Sequence, residues 1–114
     1  MRSSLSVRFY ASPTGSEPVR EWLLTLDRGA RRAIGTDIKT VELGWPLGMP
    51  LVRKMQSQLW EIRCHLTGSI ARVLFTVAGK DLVLLHGFIK KAQKTPAADL
   101  QVAVRRMKEV HDGQ

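Results

Sequence analysis

The stretch "QLWEIRCHLTGSIARVLFTVAGKDLVLLHGFI", residues 58–89, constrains the fold more than any other part of the chain. It is rich in β-formers and interrupted twice by turn residues, at Thr67-Gly68 and at "AGKD" (78–81). The spacing predicts three consecutive strands, 58–66, 69–77 and 82–89, joined as a β-meander. In the first of them Trp60, Ile62, Cys64 and Leu66 point to one face. Leu59, Glu61, Arg63 and His65 point to the other.

Around this meander the periodicity changes. "SLSVRFY" (4–10) alternates and reads as a first strand, and "ASPTGSEP" as a loop. A helix follows with Pro18 in its first turn and Val19, Trp22, Leu23 and Leu26 on one face. Asp27 can cap a second helix striped by Ala30, Ile34, Ile38 and Val41 and ended by Gly44. The two helices read as a helical hairpin. "LVRKM" (51–55) reads as a short strand. Thr95 is expected to cap a last helix, with Pro96 at its first position and Leu100, Ala103, Val104, Met107 and Val110 inward. His111 falls in the C-terminal tail. The sum is one α+β domain over 1–114.

If Thr67-Gly68 is a two-residue turn, Arg63 lies directly opposite Arg72, beside Glu61. Counting back from Ala78 opposite Asp81 sets Gly87 beside Arg72 and leaves open space above the sheet. Two facing arginines repel, and folding does not ask for them. A phosphate lying across both relieves that repulsion. The lysines of "FIKKAQKTP", Lys90, Lys91 and Lys94, extend the same charge. The chain has 18 Lys and Arg against 10 Asp and Glu, a formal net charge of +8, which favours a polyanionic partner, nucleic acid first.

Other chemistries find little support. Cys64 is the only cysteine and sits in an apolar alternation, as a buried thiol would. No metal-ligand spacing, Gly-rich phosphate loop or hydrolase motif occurs, so neither cofactor nor metal is expected. His86 reads as a core or edge histidine. With no long apolar run and no signal-peptide pattern in the first fifteen residues, a cytoplasmic location and no membrane partner are expected.

The run "LWEIR…SIARVLF…DLVLLHGFIKKAQKTPAADLQVAVRRM" resembles the RelE/HigB superfamily of bacterial toxins, and within it the phage-derived HigB-like branch. The resemblance implies a compact domain: an antiparallel sheet, an N-terminal helical hairpin and a C-terminal helix. It implies the toxin of a type II toxin–antitoxin system. Such a toxin is an mRNA interferase, cutting mRNA on the ribosome by metal-independent attack of a ribose 2′-OH on phosphate. The resemblance matches Arg63, Arg72, Lys90 and Lys91 to basic positions of the family; on that footing Arg72 is expected to stabilise the transition-state phosphate with Arg63 assisting, Glu61 or His65 is the available base, and Lys91 or Lys94 is expected to position the scissile phosphate or neutralise the leaving oxygen. Lys54, Lys90, Lys94, Phe88 and Arg105 complete the RNA-contacting set. The implied partners are a HigA-like helix-turn-helix antitoxin, the ribosome and mRNA, with operator DNA bound only through the antitoxin complex. Two alternatives differ in kind: a ParE-like gyrase inhibitor that cuts nothing, and a plain nucleic-acid-binding module.

Overall fold

The computed structural model describes residues 5–90 and 94–113, for Lys90 the backbone alone. Its elements are β1 (Ser6–Phe9), α1 (Pro18–Leu24), α2 (Arg28–Gly44), β2 (Val52–Gln56), β3 (Leu59–Leu66), β4 (Ser69–Ala78), β5 (Asp81–Lys90) and α3 (Ala97–Asp112). The strands form one sheet in the order β1-β5-β4-β3-β2. From β2 to β5 it is the expected meander. The first strand breaks the antiparallel pattern: β1 lies parallel to β5, Ser6 opposite Asp81 and Phe9 opposite Leu84, so the sheet is mixed.

Both faces of the sheet are covered. On one side α1 packs on β5 and β1, and α2 packs on β3. Ile34, Ile38, Val41, Ile62, Cys64, Val73, Phe75, Leu82 and Leu84 make that core. The two helices thus have separate seats on the sheet. Asp27 accepts from the Ala30 N–H at 2.8 Å and caps α2, as its side chain suits it to do. Trp45 meets Trp60 and Phe75 edge-on, at 4.9 and 5.4 Å between ring centres, closing the far end. On the other side Leu59, Leu74, Val83, Leu85, Ala103 and Met107 bury the stripe of α3.

Polar contacts fasten α3. Arg106 donates to the Leu85 carbonyl at 2.8 Å and lies 5.2 Å over the Tyr10 ring. The Tyr10 hydroxyl donates to Glu109 at 2.5 Å. Burial, then the Glu109 carboxylate, pushes the Tyr10 hydroxyl up. His111, expected in a tail, is in α3, its Nε2 2.9 Å from the Thr76 hydroxyl.

The outer edge of β1 is also engaged: the Val7 N–H donates to Glu42 at 3.0 Å, and Lys39 stands 3.2 Å from the same carboxylate. The Val7 amide, and after it Lys39, holds the Glu42 carboxyl below its ordinary value. The folded pKa is depressed, so the stabilisation is present above the unfolded carboxylate pKa. It is lost as pH falls through the folded value. Glu42→Gln should flatten the acid limb of a melting temperature–pH curve. An unchanged limb would show that the contact contributes nothing.

Candidate functional site

The Thr67-Gly68 turn sets the β3–β4 register, Leu66 opposite Ser69, and so Arg63 stands opposite Arg72 as expected. The next pair slips. Ala78 faces Asp81, but a bulge between Leu74 and Phe75 shifts the partners beyond it. Arg72 therefore faces Phe88, and Gly87 faces Val73 on the opposite side of the sheet. The open space expected over Gly87 is filled by Trp22: a Cβ there would lie 2.3 Å from Cζ3 of the indole. Two rows result on the face that α3 covers. One is Arg63–Arg72–Phe88, and the other Arg53–Glu61–Leu74–His86.

Arg72 and Glu61 are both 0 % exposed. Arg72 Nη1 donates to Glu61 Oε1 at 2.8 Å, and the Thr95 hydroxyl donates to Glu61 Oε2. Thr95 thus does not cap α3, whose N-cap is Pro96 with no side-chain hydrogen bond. A carboxylate buried this deeply needs donors on both oxygens, and that demand outweighs a helix cap. With both oxygens engaged, Glu61 is the counter-ion that orients Arg72. Arg63 is half-buried, and its Nε is buried without a hydrogen-bond partner among the described residues. It stands where β2 has ended and lines a groove of about 400 Å³ with Ala33, Thr36, Asp37, Pro50, Leu51 and His65. Arg63 is therefore the accessible guanidinium of the pair and Arg72 the buried one.

The remaining expected residues divide. Phe88 joins the row, its ring 5.7 Å from that of His86. His65 is exposed at the same edge, opposite Ile70. Lys94 is exposed beside Thr95. Lys90 pairs its backbone with Ile70 at the end of β5, and Lys91 lies outside the described residues. Lys54 pairs with Trp60, so it belongs to the opposite face; Arg53, opposite Glu61, takes the place expected of it. Both are in "LVRKM", and only the pairing of that strand, broken by a bulge between Lys54 and Gln56, tells them apart. Arg105 is set apart, lining a groove with Gln56, Leu100 and Lys108.

Sequence reasoning also left out the pairing of His86 with Asp99 of α3, Nε2 to Oδ1 at 2.7 Å. Cys64 is buried as expected, and burial, with Asp37 near it, pushes its thiol up, away from nucleophilic use. Among the described residues no cluster of His, Cys, Asp and Glu can hold a metal ion, and no helix is long and apolar enough to cross a membrane.

The face that α3 covers thus holds the Arg72–Glu61 ion pair, with Arg53 opposite Glu61 and the Phe88 ring at the end of the row, and Arg63 opens at the sheet edge into the groove beside α2. That is chemistry for a phosphate and an adjoining base. No curated protein sequence matches the chain. A family model described as phage-derived protein Gp49-like (DUF891) matches residues 21–108, from α1 into α3, and takes in every strand of the meander. With that match over most of its length, the chain belongs to the Gp49-like family, a phage-derived, toxin-like family.

Proposed function

We propose that the protein is the toxin of a type II toxin–antitoxin system and acts as a ribosome-dependent mRNA interferase of RelE/HigB type. The observation that carries this reading is the Arg63–Arg72 cross-strand pair, Arg63 half-buried at the mouth of a groove and Arg72 buried on the Glu61 carboxylate. Burying an ion pair is expensive, and an apolar pair of similar volume would serve the fold as well or better. A binding task accounts for its retention.

In this reading Arg63 meets the scissile phosphate. Arg72, fixed by Glu61 and Thr95, adds positive charge from a low-dielectric interior, where charge acts more strongly. Phe88 offers a face to a base. Lys94, exposed beside Thr95, adds cationic charge, and Lys90 and Lys91 adjoin it in the sequence. Reaction is by attack of the 2′-oxygen on phosphorus, giving a 2′,3′-cyclic phosphate and a 5′-hydroxyl. A HigA-like antitoxin masks this face in the cytoplasm and supplies the operator-DNA contacts of the complex. The family's place in toxin–antitoxin systems supports the partner, and the +8 net charge supports docking on ribosomal RNA.

The test is induction of wild type and Arg63→Ala in a host without the antitoxin, with mRNA 5′ ends mapped. Growth arrest with new cuts inside translated frames is expected for wild type, and loss of both for the variant. Arrest without cuts, accompanied by a DNA-damage response, would overturn the RNase reading in favour of gyrase inhibition.

A further inference from the structure

Glu61 is occupied on both oxygens, so the site still needs a group to take the 2′-OH proton. We infer that His86 is that general base and that Asp99 is its positioning residue; the inference rests on the RNase reading above.

The backbone brings His86 to this face. Leu84 belongs to the core under α1 and α2, and Leu85 to the core under α3. Strict alternation would return His86 to the first side. The bulge in the β4–β5 pair instead sets His86 opposite Leu74, on the side of Arg72 and Phe88. Arg106 donates to the carbonyl of Leu85, and Trp22 packs on Gly87, so the backbone on both sides of His86 is held. A bulge that re-aims one side chain is a device met next to reactive sites.

The chemistry agrees with that placement. A carboxylate accepting from Nε2 puts the imidazole proton on that nitrogen and leaves the Nδ1 lone pair as acceptor. The rings of His86 and Phe88 are stacked, 29° between planes. Phe88 faces Arg72, so His86 is diagonal to Arg72, about 7–8 Å away for such neighbours. His86 and Asp99 are 20 % and 26 % exposed, within reach of a ligand that Arg72 itself does not meet in solvent. Among the charged groups on the elements around His86 are Asp99 and Arg106 of α3, Arg72 of β4, and Glu61 of β3 beyond it. Of these Asp99 is hydrogen-bonded to the imidazole.

Nδ1 of His86 takes the 2′-hydroxyl proton as the O2′–P bond forms. The P–O5′ bond breaks, and O5′ takes a proton from water. The imidazolium returns its proton to the resulting hydroxide, so no net proton is consumed.

The experiment measures single-turnover mRNA cleavage on purified ribosomes, at saturating toxin, between pH 6 and 8.5, for wild type, Arg63→Ala, His86→Gln and Asp99→Asn. Each variant's melting temperature is measured beside it. His86→Gln should cut at least about 100-fold more slowly with ribosome binding unchanged. Asp99→Asn should lower the single-turnover rate at saturating toxin while ribosome binding and melting temperature stay with wild type. A loss of rate without a loss of binding or stability is one a mere helix fastening would not produce, and it remains readable if His86→Gln folds poorly. Cleavage by His86→Gln within threefold of wild type, or an unchanged rate in Asp99→Asn, would overturn the inference and leave the RNase reading standing. A wild type that cuts nothing on the ribosome would overturn both.

Discussion

Glu61→Ala should destabilise the protein by about 3–5 kcal/mol, because it leaves the Arg72 guanidinium buried without its carboxylate. A small domain has only about 5–15 kcal/mol of stability in total, so the variant should be close to unfolding at 37 °C. The measurement is the urea midpoint, with an unchanged slope showing that the folded and unfolded ends are the same. Glu61→Leu combined with Arg72→Met should recover most of that loss, since both desolvation costs vanish together. The double variant should at the same time be unable to arrest growth. Stability would then return without activity, separating the two roles of the pair. A loss under about 1 kcal/mol in Glu61→Ala would mean that water reaches Arg72 and that the charge is not buried in solution.

Gly87→Ala should be nearly as damaging. The added methyl would lie 2.3 and 2.4 Å from Cζ3 and Cε3 of Trp22, and 3.0 Å from Cη2. An indole packed on a strand is a rigid plate, so the helix that carries it must move. Overpacking of this kind costs about 1–3 kcal/mol and sometimes more; the upper end is expected here. The gain from a stiffer unfolded chain, about 0.4–1 kcal/mol, does not offset it. Trp22→Leu in the same background should restore part of the loss by clearing the space. If Gly87→Ala alone melts with wild type, α1 does not press on β5 as described.

What could be read in advance depended on where local chemistry fixes the geometry. A two-residue turn leaves no freedom, so Arg63 opposite Arg72 followed from Thr67-Gly68. Asp27 announced the start of α2 in the same way. The β4–β5 pair did not announce its slip. "LVLL" is apolar throughout, and a residue inserted into such a run leaves no mark on a two-residue period. The places of Gly87, His86 and Phe88 all depended on it. Burial of Glu61 and Arg72 was hidden for another reason: a charged position in an alternating strand reads as a solvated face until α3 is laid over it. Thr95 went the same way, since its local rule as a cap lost to a carboxylate thirty-four residues distant. The Lys54–Arg53 exchange turned on a strand whose pairing only the assembled sheet defines.

The parallel pairing of β1 with β5 has a consequence in time. The chain is made from its first residue, and the strand that β1 pairs with among the described residues is the last one synthesised. Closing so long a loop is entropically costly and slow compared with forming the β3–β4 hairpin. In the nascent chain β1 therefore stays unseated, and α1 lacks a strand it rests on, until β5 has been made. The row from Arg63 through Arg72 to Phe88 has no third member until then. Whatever this face does, it begins to do only after β5 has been made.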